Sequence, residues 1–342
     1  MSTLVLYLLC ACTSFVITFA ALPVLRKTVA NAFLDVPNEL KQHAGNVPVL
    51  GGCGILLGIT GSLILIRLTT AFPSGTLHTL RGVIIGGGLI FLMGLADDLK
   101  KPKGISVSVK LLIQAAATAS LIYYGVAIHA FTSPWISYPL TFLWVVGLTN
   151  AFNLLDIMDG LCVSQAVVCA LGLAIITLPS EYVYVNFAAL ALLGACLAFW
   201  PYNHAKTHKI FLGDSGSNLL GFLIAALSIG TGYCEKSDWG FLAPLFILAV
   251  PLFDTAFVTL ARLIKGKNPM KGSNDHAALR LKKRGWSAPL ILLMFSLAGV
   301  TANAFAFMLT HCCLQIALGL FLAAGAFGAL VTRWLLRINT DL

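Results

Sequence analysis

Residues 82–101 read GVIIGGGLIFLMGLADDLKK. The stretch is apolar and uncharged from Gly82 to Ala96, and then it meets Asp97, Asp98, Lys100 and Lys101. Fifteen or more apolar residues that end abruptly in charge describe a helix leaving hydrocarbon for water, since about 20 such residues cross a bilayer core of about 30 Å. The composition extends that reading to the whole chain. Of 342 residues 58% are hydrophobic and only 10% charged, with a mean hydropathy of +0.91. A soluble domain is about a quarter charged, so the chain reads as an all-α integral membrane protein. Apolar runs predict eleven spans, near 3–25, 48–67, 80–96, 107–125, 136–153, 161–178, 184–201, 215–232, 239–263, 287–309 and 314–333. The windows at 136–153 and 215–232 are the weakest, because polar residues and glycines intrude.

Lysine and arginine set the orientation. With the N-terminus outside, only Arg67, Arg81 and Lys236 of the 22 basic residues fall at outer edges. The +9 net charge then faces the cytoplasm, where it orients the chain and attracts anionic lipid heads. No soluble region is present to bind nucleic acid. The first apolar run lacks a basic leader and is expected to remain as a span. The nine cysteines contain no CxxC pair and most lie in apolar runs, where cysteine packs as a small hydrophobe. Neither a repeat nor a long linker divides residues 1–342, which read as a single polytopic membrane domain.

Only 13 residues are acidic, and ten of them fall on the inner side, which the orientation rule does not require. Asp97 and Asp98 close the third span; adjacent carboxylates at a low-dielectric edge need a cation, which points to metal ligation or base chemistry. A mixed-charge loop that merely stops the helix is the plain alternative. Asn153, Asp156 and Asp159, in NAFNLLDIMDG, are spaced by three and would stack on one face if the helix continues. Such a polar stripe at a membrane edge lines a cavity or meets a ligand, where helix capping would need only one of the three. In FLGDSGS, Asp214 stands between glycines that permit close backbone approach, and a carboxylate there suits Mg²⁺, with Mn²⁺ as the alternative ion. Ser215 or Asp214 could instead cap the next span.

Two inner loops complete the set. Residues 264–287 carry Lys265, Lys267, Lys271, Asp275, His276, Arg280, Lys282, Lys283 and Arg284, a setting for a phosphate-bearing substrate or simply a basic membrane-surface loop. His276 beside Asp275 is placed to meet phosphate. The loop from Asp35 through Lys41 and His43 to Gly52 is polar and proline-bounded, and Lys41 and His43 could hold a lipid-borne phosphate.

Together these segments resemble the polyprenyl-phosphate N-acetylhexosamine-1-phosphate transferases of glycosyltransferase family 4, from Asp35 to Gly285. The resemblance implies transfer of a sugar-1-phosphate, most directly N-acetylglucosamine-1-phosphate, from a UDP-N-acetylhexosamine to undecaprenyl phosphate. The products are lipid-diphosphate-sugar and UMP, the reaction needs Mg²⁺, and it initiates a cell-envelope polysaccharide such as lipopolysaccharide. It further implies catalytic roles for Asp97, Asp98, Asp156 and Asp159 and metal ligation by Asp214 with Asp98. Substrate contacts are implied for Lys41, His43, Lys110, Asn153, Asn203, Phe211, Asp275 and His276. A homodimer is compatible with it. Three departures stand out: Ile157 replaces a glycine of the aspartate stripe, Ala278 and Leu279 replace histidines of the last loop, and Leu40 replaces an arginine. Two other readings remain open, the muramoyl-pentapeptide branch of the family and, from another class, a secondary transporter. The latter should show repeat symmetry and mid-membrane charges.

Overall fold

The computed structural model describes residues 3–29, 31, 33–35, 46–70, 76–101, 103–131, 133–178, 183–235, 237–268 and 273–338. Lys41 and His43 lie outside them. Of the described residues 78% are helical, and their one sheet is the short antiparallel pair β1 (Leu34–Asp35) and β2 (Val47–Pro48). It forms two compact units, Met1–Thr231 and Gly232–Leu342.

The first unit holds α1 (Thr3–Val29), α2 (Gly51–Thr69), α3 (Thr76–Leu99), α4 (Val107–Tyr123), α5 (Pro134–Leu155), α6 (Leu161–Thr177), α7 (Val183–His204) and α8 (Gly213–Ile229). Helix α8 packs against α3 and α5, with α2 and α6 also beside it, and α1 packs on α2 and α7. Fourteen of the seventeen α8 residues are buried, whereas α1 keeps Leu4, Leu8, Val16 and Val24 exposed, as a lipid-facing helix would. Close approach of α3 and α8 depends on small residues, as between membrane helices generally. A Cβ on Gly94 would lie 2.5 Å from the Asp214 carbonyl oxygen and 2.5 Å from Ser215 Cα, both main-chain atoms with no room to yield.

The second unit contains α9 (Ala243–Ile247), α10 (Ala249–Ile264), α11 (Ala277–Lys283), α12 (Ala288–Leu309) and α13 (Leu314–Leu336). The span expected at 239–263 is not one straight helix, because α9 and α10 meet at 65°. Pro251 has no N–H to offer the Ile247 carbonyl, and the ladder breaks there. The last basic loop also contains a helix, α11, which a run of cations concealed.

Among the described residues seven helices are long and apolar enough to cross a membrane, or eight if the bent pair is one span. The other three expected spans correspond to α4, α6 and α8, which at 17 residues each stand at the lower limit of a crossing helix. Gly94→Ala is expected to destabilise the protein by about 1–3 kcal/mol, the usual cost of overpacking. Thermal unfolding of the detergent-solubilised variant measures it, and an unchanged midpoint would refute the close-packing account.

Candidate active site

The ends of six helices in the first unit bring the scarce aspartates together: the C-terminal ends of α3, α5 and α7 and the N-terminal ends of α4, α6 and α8. The two residues of the Asp97-Asp98 pair have separate tasks. Asp98 turns inward with a fully buried side chain, and its Oδ1 and Oδ2 accept the backbone N–H groups of Asp214 (3.0 Å) and Ser215 (2.9 Å). Those amides belong to the first turn of α8, where no intrahelical acceptor exists, so a carboxylate from α3 caps α8 across the bundle. Gly213 makes this possible. Its φ of +79° is a left-handed conformation, and a Cβ there would meet Asp98 Oδ2 at 2.7 Å. Neither Asp214 nor Ser215 caps the helix with its own side chain.

Asp97 faces the other way. Its Oδ1 accepts the N–H of Ile105 and its Oδ2 accepts Lys110 at 2.6 Å. Lys110 also reaches Asp214 Oδ2 at 3.4 Å, while Lys101 bonds Asp98 Oδ1 at 2.7 Å and approaches Asp214 Oδ1 at 3.6 Å. Asp214 is thus flanked by two lysines and is the most exposed carboxylate of the three, at 25% against 5% for Asp97 and 0% for Asp98. Burial works against the Lys101 charge, but Asp214 and Asp98 outweigh it and raise its pKa, so Lys101 is firmly a cation.

The stripe expected at Asn153, Asp156 and Asp159 does not lie along one helix. Helix α5 ends at Leu155, Asp156 is its C-terminal flanking residue, and the chain turns through 156–160 before Gly160, at φ +80°, opens α6. Asn153 alone is helical, donating to Ser217 Oγ at 3.0 Å on α8. Above it Gln114 and Asn150 pair their amides between α4 and α5. Asp156 is pushed up to about 7, by burial first and then by Asp214, against the pull of Lys101. Asp159 instead pairs with Lys209, whose ammonium lies 5.1 Å from the Phe211 ring centre. Asn203 accepts the Gly160 N–H at 2.6 Å and donates to Ile210 O at 3.2 Å, so both ends of its amide are held by backbone. Phe211 runs beside β2, exchanging backbone bonds with Pro48 and Gly51.

Asp275 and His276 sit in the second unit. Asp275 meets Arg280 (3.0 Å), Lys265 (3.0 Å) and Arg262 (3.8 Å). Arg280 is itself buried, capping α13 through the carbonyls of Leu335 and Ile338. His276 is bonded to Asp254. Lys101, Lys209 and Asp254 were absent from the expected site. Lys101 and Lys209 lie within three and five residues of its aspartates, and Asp254 is a lone acid in an apolar run, which is itself a functional signal.

Among the described residues no three or more His, Cys, Asp or Glu side chains form a metal-holding group. Asp98, expected as a metal ligand, is committed to two backbone amides and Lys101. The donor chemistry fits an ion that takes one or two hard carboxylates and completes its shell with substrate phosphates, as Mg²⁺ does, and does not fit a cage built by protein alone.

A model of glycosyl transferase family 4 matches residues 80–232, the stretch that carries Asp97 through Asp214. The chain is 29% identical to a probable undecaprenyl-phosphate N-acetylglucosaminyl 1-phosphate transferase of Bacillus subtilis (strain 168), over 83% of this chain and 79% of that protein. It is 27% identical to a decaprenyl-phosphate N-acetylglucosaminephosphotransferase of Mycolicibacterium smegmatis, over 78% and 73%. With the undecaprenyl-phosphate alpha-N-acetylglucosaminyl 1-phosphate transferase of Escherichia coli K12 it shares 25% identity over 78% and 73%. Over the stretch that carries these aspartates the chain is similar to glycosyl transferase family 4.

Two outcomes test the geometry. Asp98→Asn can accept only one of the two α8 amides and turns an N–H toward the other. It is expected to cost about 1–3 kcal/mol of stability by thermal unfolding. Asp156 supplies a pH dependence. Because its folded pKa lies above its unfolded value, the folded state retains the proton longer, and stability of the metal-free protein should fall as pH rises from about 4 to about 7. Asp156→Asn should flatten that part of an unfolding-midpoint profile.

Proposed function

We propose that the chain transfers N-acetylhexosamine-1-phosphate, in the first instance N-acetylglucosamine-1-phosphate, from the UDP-sugar to undecaprenyl phosphate. It does so at the cytoplasmic face of a bacterial inner membrane, as the first step of a cell-envelope polysaccharide. The observation that carries this reading is the convergence of Asp97, Asp98 and Asp214 with Lys101 and Lys110 at the ends of α3, α4 and α8. The names of the bacterial relatives support the lipid acceptor and the N-acetylglucosamine unit.

An oxygen of the lipid phosphate attacks the sugar-bearing phosphorus of the donor. The new P–O bond forms as the bond to UMP breaks, and the electron pair leaves with UMP. Two anions must meet, so the chain has to neutralise and align charge more than it has to supply covalent help. Lys110 and Lys101 are the cations placed to do so. Asp97, held at both oxygens by the Ile105 amide and Lys110, is the base for the acceptor phosphate. Mg²⁺ would be held by Asp214 with the substrate phosphates and would neutralise charge developing on them. Lys209 and Phe211 offer a cation and a ring face to the nucleotide, beside Asp159.

Purified protein given labelled UDP-N-acetylglucosamine, undecaprenyl phosphate and Mg²⁺ should form labelled lipid and UMP, and a chelator should stop it. Asp97→Asn should lower turnover about 10²-fold or more, the scale of a lost general base. No lipid product with any UDP-N-acetylhexosamine would refute the transferase reading.

A further inference from the structure

Residues 205–209 join the end of α7 to the run that enters α8, and Lys209, the cation over the Phe211 ring, is the last of them. Beyond Lys209 the chain is tied down by its backbone. Ile210 N–H donates to Tyr202 O at 3.1 Å, Asn203 donates to Ile210 O at 3.2 Å, and Phe211 N–H donates to Pro48 O at 2.9 Å. The residues before Lys209 are held differently. Lys206, Thr207 and His208 are exposed, and among the described residues the one hydrogen bond these three make joins His208 Nδ1 to Arg26 Nη1. A guanidinium can only donate, so Nδ1 accepts and the ring proton sits on Nε2.

Among the described residues His208 is also the one non-glycine residue with a left-handed backbone, at φ +66°. A residue with a Cβ keeps that conformation only where its surroundings impose it. Consecutive side chains part there: His208 meets α1, and Lys209 meets Asp159 in the turn before α6. Arg26 reaches His208 from a fixed helix. Phe19, two turns earlier on the same face of α1, accepts the Tyr202 hydroxyl at its carbonyl (3.0 Å), and the two rings lie 5.3 Å apart. Arg26 stands outside residues 80–232, so the contact is no part of the matched family stretch.

We propose that Arg26 and His208 are positioning residues that pin the loop so that Lys209 stays against Asp159 and over Phe211, ready for the nucleotide end of the donor. This rests on the reading of Lys209 and Phe211 as nucleotide contacts. Neither Arg26 nor His208 touches substrate in this account. Both act through Lys209, so their loss weakens donor binding and leaves the chemical step alone.

Equilibrium binding of UDP to the full-length protein tests this. Lys209→Ala is expected to bind about tenfold more weakly, and Arg26→Ala and His208→Gly about three- to tenfold, the scale of one charge-assisted hydrogen bond. In turnover the KM for UDP-N-acetylglucosamine should rise by the same factor while kcat holds. His208→Asn should keep wild-type affinity, because asparagine tolerates the left-handed backbone and its amide oxygen accepts from Arg26. Lys27→Ala removes an exposed neighbouring cation and should change nothing. Arg26→Ala added to Lys209→Ala should cost nothing further, since one acts through the other. Wild-type affinity in Arg26→Ala, an equal loss in Lys27→Ala, or losses that multiply in the double variant would overturn the proposal. A second measurement needs no nucleotide. Acetic anhydride labelling of Lys209 in ligand-free protein, followed by mass spectrometry, should quicken several-fold in Arg26→Ala and His208→Gly, because an amine released from its carboxylate gives up its proton more readily. An unchanged rate refutes the positioning role. A wild type with this labelling response that binds no UDP supports the positioning and counts against the nucleotide reading alone.

Discussion

The site depends on one carboxylate capping a helix that is not its own. Asp98 on α3 accepts the first free amides of α8, and this bond fixes the depth and rotation at which α8 enters the bundle. Asp214 is in the same turn, so its position follows from Asp98. Capping usually draws on a neighbouring residue. Here the cap spans 116 residues, which makes the local structure of α8 a tertiary matter. Gly94 and Gly213 serve the same contact by removing side chains that would hold the two backbones apart.

Around that cap the charges form a chain with alternating sign. Asp97, Lys110, Asp214, Lys101 and Asp98 follow one another at 2.6–3.6 Å. The lysines neutralise carboxylates that would otherwise repel each other at a low-dielectric edge, and Asp214 and Asp98 keep Lys101 charged. The charge at these helix ends is thus organised by fixed ion pairs within the protein itself. The second unit uses one buried carboxylate, Asp254, to hold the His276 ring at Nδ1 and the Ala277 amide.

Much of the fold was legible because membrane crossing imposes long apolar runs with charge at their ends. The boundaries of α3, α5, α7, α12 and α13 follow that pattern. What escaped was governed by contacts. The stripe at Asn153, Asp156 and Asp159 has helical spacing, but Gly160 takes a left-handed turn and the helix stops at Leu155, so Asp156 and Asp159 reach different partners. The bend between α9 and α10 was visible in principle from Pro251. Helix α11 was hidden by its charges, and Asp254 by its isolation in an apolar segment.

From the sequence alone came the membrane class, the placement of the aspartates at the ends of apolar runs and the resemblance to a phosphotransferase family, because hydropathy, charge bias and motif spacing are properties of the chain in one dimension. Tertiary structure decided which aspartate does what. Asp97 and Asp98 are neighbours with the same side chain, and no sequence rule tells which of them caps α8 and which pairs with Lys110. The difference arises because successive side chains on a helix point about 100° apart, so one meets α8 and the other meets Lys110.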